Sequence, residues 1–116
     1  LKKRTKKFAL LIIRIVEKLP STKSGNAIGN QLIRSGTSVA SNYRTACRAR
    51  SNADFISKIT VVEEEADESL FWLELIEESG LLKKEVLQDA IKEADELTAI
   101  FTSAGKTARQ NNPKKS

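Results

Sequence analysis

The chain has 116 residues, of which 40% are apolar and 30% are charged, a balance typical of a globular, water-soluble domain. One cysteine and no histidine exclude an internal disulfide and disfavour both a metal site and general-base catalysis. We therefore expect no cofactor, no metal and no catalytic residue. No apolar run approaches the roughly 20 residues of a membrane-spanning helix, and no signal peptide is recognisable. The sequence predicts a cytoplasmic protein without membrane contact.

The net charge of +5 is distributed unevenly along the chain. Residues 1–50 carry twelve Lys or Arg and one acid, a balance of +11, whereas residues 51–105 carry four basic and fourteen acidic residues, a balance of −10. This asymmetry indicates either a basic surface that meets polyanions or two halves that neutralise each other within the fold.

The first predicted helix covers about residues 3–19. Its core stripe has helical spacing and consists of Phe8, Leu11, Ile12, Ile15 and Leu19. Apolar residues also occupy its other faces, which indicates burial on more than one side, so we expect a second subunit to cover part of it. The basic residues of its first turn oppose the helix macrodipole. They indicate a ligand or a solubility role rather than helix stability.

The second predicted helix covers about residues 25–49. Its core stripe is Gly25, Ile28, Leu32, Gly36, Val39, Tyr43 and Ala46. Each glycine inside a helix costs about 1 kcal/mol relative to alanine, so these glycines indicate that a neighbouring element packs closely. Beside the stripe, Cys47 is predicted to be a small buried residue. Asn42 is either a buried polar residue that fixes register or a surface residue.

The third and fourth predicted helices cover about residues 51–79 and 83–108. Ser51 with Asp54 forms a start resembling a capping box, and Gly80 is a natural stop. The third stripe is Ile59, Val62, Ala66, Leu70, Leu73 and Ile76. The fourth is Leu87, Ala90, Ala94, Leu97, Phe101 and Ala104. The short connections predict an all-α, antiparallel, up-down-up-down four-helix bundle over residues 1–109, with a disordered basic tail at 110–116.

Several apolar residues lie off these core stripes and are predicted to form an oligomer interface. They are Leu10, Ile13, Phe71, Trp72 and Leu75. The alternative for Trp72 is that it covers the edge of its own bundle.

Basic residues at the start of the first helix and the end of the second are the predicted nucleic-acid contacts. They are Lys2, Lys3, Arg4, Lys6, Lys7, Arg44, Arg48 and Arg50. Thr37, Ser38 and Ser41 share a stripe with Arg44, and hydroxyls and guanidiniums both bind phosphate oxygens.

The alternative is that these arginines pair with the third helix. A turn near residues 50 and 51 would place Arg34 opposite Asp67 and Glu68, which would neutralise it. Arg48 would be partly paired with Asp54. No acid would face Arg44.

Residues 31–82 contain three distinctive segments, RSGTSVASNYR, CRARSNADFISKI and EEADESLFWLEL. These segments closely resemble the four-helix-bundle proteins named after the bacterial 23S rRNA intervening sequence, and the first helix and the fourth stripe also fit. The resemblance implies an antiparallel bundle, a ring-shaped homopentamer and no catalytic residues. Some members are encoded within insertions of the large ribosomal RNA gene and have been labelled ribosomal proteins. A related group assists the reverse transcriptase of diversity-generating retroelements and carries a basic surface.

Two functions therefore stay open. The first is a homo-oligomer that binds RNA or DNA by charge and shape, with little base reading because few aromatic residues are present. The second is a protein–protein adaptor that docks another protein, such as a polymerase, without contacting nucleic acid. An enzyme is disfavoured because no pair of nucleophile and base is present.

Overall fold

A computed structural model describes residues 1–111, which form four α-helices joined by short turns. The helices are α1 (Lys2–Glu17), α2 (Lys23–Ala46), α3 (Asn52–Glu78) and α4 (Lys84–Gln110). The predicted all-α architecture is confirmed. The largest difference in helix bounds lies in α2, which ends three residues earlier than predicted, so that residues 47–51 form the turn into α3.

Local hydrogen bonds set the helix ends. The Thr22 hydroxyl accepts from the backbone N–H of Gly25 at 3.1 Å and begins α2, and the Ser51 hydroxyl accepts from that of Asp54 at 3.0 Å and begins α3. After α3, Gly80 has a φ of +76°, the left-handed conformation in which glycine commonly ends a helix. The predicted start at Ser51 and stop at Gly80 are confirmed.

Consecutive helices run antiparallel. Between α1 and α2, Gly36 lies against Ile12 and Gly29 lies against Val16, so residue numbers rise along one helix as they fall along the other. The same reversal relates α3 to α4 in the contacts Asn52–Ala108, Ile59–Gly105 and Glu63–Thr102. Helix α1 closes the bundle against α4, giving a body of 51 × 23 × 20 Å. The predicted up-down-up-down bundle is confirmed.

The core lies between the four helices and is built from the predicted stripes. Its largest buried side chains include Phe8, Ile12, Ile15, Leu32, Ile59, Leu73, Ile76, Leu87, Leu97 and Phe101. Six predicted stripe residues lie at its edge and are partly buried: Leu11, Leu19, Ile28, Tyr43, Leu70 and Ala104. Across the α2–α3 contact, the buried Ser69 hydroxyl donates to the Ser35 hydroxyl at 3.0 Å. Removal of the apolar side chains from water is the main force that stabilises the bundle.

Two residues near the end of α2 differ in how closely they follow the sequence analysis. Cys47 is exposed, so the prediction that it is buried is wrong. The last residue of α2 is Ala46, and Cys47 therefore lies just outside the helix. Tyr43, at the edge of the core, packs on Phe101 with ring centroids 5.3 Å apart. Burial, with a smaller effect of the Cys47 thiol, raises the pKa of Tyr43 to about 12. Asn42 is half-buried and donates to the Ser38 carbonyl of its own helix at 2.9 Å, so this bond does not fix register between helices.

No helix within residues 1–111 is long and apolar enough to cross a membrane. The division into one domain at 1–109 and a tail at 110–116 stays a prediction. Helix α4 continues through Gln110, and residues 112–116 of that tail lie outside the described residues.

Candidate nucleic-acid interface

Basic side chains from two distant segments of the sequence meet in a groove between α1 and α2. The antiparallel arrangement places the first turns of α1 beside the second half of α2. The groove has a volume of about 510 Å³. The α1–α2 groove, as it is named hereafter, is lined by Lys2, Lys6, Thr37, Ala40, Ser41 and Arg44. Its three basic residues, Lys2, Lys6 and Arg44, are hereafter the groove cations.

The groove cations are not neutralised within residues 1–111. All three side chains are exposed, and none takes part in an ion pair there. Helix α2 contains no Asp or Glu, and the one acid of α1, Glu17, lies at the opposite end of that helix. The groove therefore presents three positive charges to solvent, an arrangement that attracts anions.

Two hydroxyl groups line the groove together with these cations. Thr37 Oγ1 donates to the carbonyl of Ile33 at 2.6 Å, and Ser41 Oγ donates to the carbonyl of Ser38 at 3.4 Å. The short bond directs the Thr37 proton into its own helix, the Ser41 hydroxyl is held less closely, and both oxygens keep lone pairs that can accept a hydrogen bond. The groove combines cationic donors with neutral acceptors.

Three other predicted contacts, Lys3, Arg4 and Lys7, lie on the other side of α1, in a groove against α4. This α1–α4 groove is lined by Lys3, Arg4, Lys7, Phe8, Leu11, Arg14, Asp89 and Glu93. Carboxylates and cations face each other there, so the α1–α4 groove has mixed charge. It is less suited to a polyanion than the α1–α2 groove.

The Arg4 guanidinium joins α1 to α4. Its Nε and Nη2 donate to the two carboxylate oxygens of Glu93 at 2.7 Å each, and Nη2 also donates to Glu96 at 3.0 Å. The hydrogen bond to Glu93 is the main cause that raises the pKa of Arg4. Arg4 was predicted to contact nucleic acid; the structure places it in these internal bonds, which use the fork of donors that would bind a phosphate.

Arg48 and Arg50 lie in the exposed turn between α2 and α3. The expected partial pairing of Arg48 with Asp54 is absent within the described residues. Lys58 binds the Asp54 carboxylate at 2.5 Å instead, and the backbone N–H of Arg50 donates to it at 3.3 Å. Both interactions, Lys58 first, lower the pKa of Asp54. The two arginine side chains stay exposed, and Arg48 lies two residues beyond the end of α2.

Arg34 is neutralised by α3, as the predicted register of the α2–α3 hairpin requires. Its guanidinium binds Glu65 at 3.0 Å and also binds Glu68. The predicted partner Glu68 is confirmed. Asp67 is exposed and Glu65 takes its place, because residues three apart share a helix face. Glu68 also accepts from the indole N–H of Trp72 at 3.0 Å, and this bond, followed by Arg34, lowers the pKa of Glu68.

The predicted oligomer-interface residues lie at the surface in two patches. Leu10 is 48% exposed and, with half-buried Ile13, forms the α1 patch. Phe71 is 52% exposed and, with half-buried Trp72 and Leu75, forms the α3 patch. The rings of Phe71 and Trp72 pack edge to face with centroids 4.9 Å apart.

The sequence named all three groove cations and placed Thr37 and Ser41 on the stripe of Arg44, but it did not show that Lys2 and Lys6 lie beside them. The register of the α1–α2 hairpin would have shown that the lysines of α1 lie beside Arg44 of α2. Fixing that register needs the close contact of Gly36 with Ile12. No group of three or more His, Cys, Asp or Glu side chains within residues 1–111 is placed to hold a metal ion.

Comparison with known proteins agrees with this fold. The family model described as 23S rRNA-intervening sequence protein matches residues 1–103. The chain belongs to this family. The resemblance noted in the sequence is thereby confirmed.

A solved structure supports the same assignment. It is that of a protein of unknown function from the S23 ribosomal protein family of Bacteroides thetaiotaomicron VPI-5482. The match covers 90% of this chain and 97% of that chain, with 30% sequence identity and a TM-score of 0.84. No relative among the curated proteins matches this chain.

Proposed function

We propose that this protein is a non-enzymatic homo-oligomer that binds nucleic acid through the α1–α2 groove. The observation that carries the proposal is the convergence of the groove cations from two helices, with no carboxylate among the lining residues. Cations that are not already paired bind phosphates and release the counterions condensed on the nucleic acid, which supplies most of the affinity in such complexes.

The distribution of acidic residues supports a defined orientation on the ligand. All fourteen acids of residues 51–105 belong to α3 and α4, whereas α1 and α2 together contain one. A polyanion is therefore attracted to the α1–α2 side of the bundle and repelled from the α3–α4 side.

The α1 and α3 patches support self-association. They are different surfaces on different helices, so a contact between the α1 patch of one copy and the α3 patch of another would be heterologous and could close a ring. Cations accompany the α1 patch on its helix, and acids accompany the α3 patch, including Glu64, Asp67 and Glu74. These opposite charges favour such a contact. Repetition of the α1–α2 groove around a ring would add avidity to weak individual contacts.

We propose a non-enzymatic protein because the groove lacks the side chains that catalysis would need. Its ionisable side chains are two lysines and one arginine, and no carboxylate lines it that could act as a general base. The lone thiol, Cys47, is exposed in a chain without histidine, so it has no imidazole to activate it.

The test compares two variants with the same net charge. The groove variant carries Lys2→Gln, Lys6→Gln and Arg44→Gln. We expect it to bind labelled structured RNA and duplex DNA at least about tenfold more weakly than the wild type at low salt, because three phosphate contacts are lost. Circular dichroism and thermal unfolding establish that the variant keeps its fold.

The control variant carries Lys18→Gln, Lys23→Gln and Lys84→Gln. These lysines are exposed and lie at the other end of the bundle. We expect binding within about twofold of the wild type, because salt screens charges that far from the groove. Equal losses in both variants would show that only net charge matters. A wild type that binds no nucleic acid would refute the proposal.

One observation favours a second function, a protein–protein adaptor. The aromatic pair of the α3 patch is exposed, and aromatic residues of this kind anchor protein interfaces. Under this alternative the patch docks another protein and the groove cations contact no phosphate. Phe71→Glu would then abolish co-purification of a protein partner, while the groove variant would retain it.

A further inference from the structure

The basic residues of the groove lie on two helices, and those of α1 are spaced along the helix rather than grouped around one point. Lys2 and Lys6 are one helical turn apart on α1, and across the groove Arg44, in the last turn of α2, is followed by Arg48 in the exposed turn that leaves this helix. One turn of four residues advances about 6 Å, and one strand of a duplex carries a phosphate about every 3.4 Å along the axis. The α1 row therefore spans about two phosphates, and with Arg44 facing it across the groove the set suits a continuous backbone better than a single anion.

The hydroxyls supply a second kind of contact. The proton of Thr37 is directed to the Ile33 carbonyl at 2.6 Å, so its oxygen faces a ligand as an acceptor, and the Ser41 hydroxyl, with a longer contact of 3.4 Å, can also accept. Phosphate oxygens cannot donate to them. The ribose 2′-hydroxyl can, and it is the group that distinguishes RNA from DNA.

Aromatic side chains are absent from the lining of the groove. The one tyrosine, Tyr43, packs on Phe101, while Phe71 and Trp72 pack on each other on α3. Proteins that hold single strands depend on bases stacking on aromatic side chains. In an A-form duplex the bases are already stacked, and phosphates and 2′-hydroxyls are displayed across a wide minor groove.

Resting on the proposed function, we infer that the α1–α2 groove takes the ribose–phosphate backbone of double-stranded RNA. The groove cations bind phosphate oxygens, and Thr37 and Ser41 accept hydrogen bonds from 2′-hydroxyls. The substrate class is thus duplex RNA read by backbone and shape, without preference for base sequence.

The experiment measures binding of the full chain to three labelled ligands of about 20 nucleotides or base pairs, a length that presents two successive minor grooves. The ligands are double-stranded RNA, double-stranded DNA of the same sequence, and one RNA strand. We expect double-stranded RNA to bind at least about tenfold more tightly than duplex DNA, since DNA lacks two hydrogen bonds that each change binding about fivefold. It should also bind more tightly than the single strand, because a flexible strand loses conformational freedom on binding.

A hydroxyl-free variant, Thr37→Val with Ser41→Ala, isolates the ribose contact. It should bind duplex RNA about fivefold or more weakly and duplex DNA within about twofold of the wild type. The matched control, Thr107→Val with Ser103→Ala, removes the same groups from exposed positions on α4 and should change neither affinity.

Each contrary outcome identifies what fails. If the single strand binds as tightly as the duplex, the inference of a duplex ligand is overturned while nucleic-acid binding stands. If duplex RNA and duplex DNA bind equally and the hydroxyl-free variant changes neither affinity, the ribose contact is overturned. If no ligand binds, the proposed function itself fails.

Discussion

Gly36 of α2 lies directly against Ile12 of α1, so that a Cβ at residue 36 would be 2.8 Å from both γ-carbons of Ile12. Ile12 is fully buried and cannot move aside without disturbing the core. The contact explains why α2 keeps a glycine that costs about 1 kcal/mol of helix stability relative to alanine. It also sets how closely α1 and α2 approach, and therefore the shape of the α1–α2 groove.

We predict that Gly36→Ala lowers the free energy of unfolding by about 1–3 kcal/mol, because overpacking outweighs the gain in helix propensity. The control is Gly105→Ala in α4, where a Cβ would meet the end of the flexible Arg109 side chain at 3.3 Å and Ile59 at 3.6 Å. For Gly105→Ala we expect the free energy of unfolding to stay unchanged or to rise by up to about 1 kcal/mol. Urea unfolding measures both, and a Gly36→Ala variant as stable as the wild type would contradict the packing account.

A second prediction concerns Trp72, the one tryptophan of the chain. Its indole N–H donates to Glu68 at 3.0 Å, and this bond, with Arg34, lowers the pKa of that carboxyl. A lowered pKa in the folded state adds stability above the unfolded value of about 4.3, and that stability is lost as the pH falls through the folded pKa.

Tryptophan fluorescence should therefore change with a midpoint below the ordinary glutamate pKa, and stability should fall in the same range of pH. Glu68→Gln should abolish the fluorescence transition. A midpoint at or above the ordinary value in the wild type would contradict the contact.

A third prediction separates Arg4 from the groove cations. Arg4→Gln should lower the free energy of unfolding by up to about 1 kcal/mol, the usual range for partly exposed ion pairs. It should leave RNA affinity within about twofold of the wild type, since the guanidinium already binds Glu93 and Glu96. Lys6→Gln, on the same helix, should leave the free energy of unfolding unchanged and should weaken RNA binding. Equal effects of the two substitutions on RNA affinity would contradict this division of roles.

A fourth prediction concerns self-association. We expect the wild type to sediment as an oligomer at high micromolar concentration, and both Leu10→Glu and Phe71→Glu to sediment as monomers, because each places a charge in an apolar contact. Val61→Glu is the matched control, since Val61 is an exposed apolar residue of α3 outside the predicted interface. A monomeric wild type, or a Val61→Glu variant that dissociates as readily as Phe71→Glu, would contradict the assignment of the patches.

The bundle could be predicted because its core follows the helical period closely. Spacing alone placed Leu32, Leu73 and Leu97 in the interior, and a simple hairpin register found the contact of Arg34 with Glu68. The exposure of Cys47 was missed because α2 ends before the periodic pattern does.

The candidate site was only partly predictable. Arg4 pairs with Glu93 and Glu96, which are separated from it by 89 and 92 positions in the sequence. These ion pairs depend on the rotation of α1 against α4, which periodicity does not determine. The convergence of the groove cations depends in the same way on the α1–α2 register. Local patterns could therefore name the basic residues without showing which of them meet.

The most direct test of nucleic-acid binding through the α1–α2 groove is the salt dependence of affinity for duplex RNA between about 50 and 200 mM salt. We predict that the logarithm of the association constant falls linearly with the logarithm of salt concentration. In the groove variant this slope should become less steep by about 2.7 for each protomer bound to the RNA. Three phosphate contacts are lost, and each contributes about 0.9 to the slope. The control variant with Lys18, Lys23 and Lys84 replaced should keep the wild-type slope. A groove variant with an unchanged slope would contradict the account.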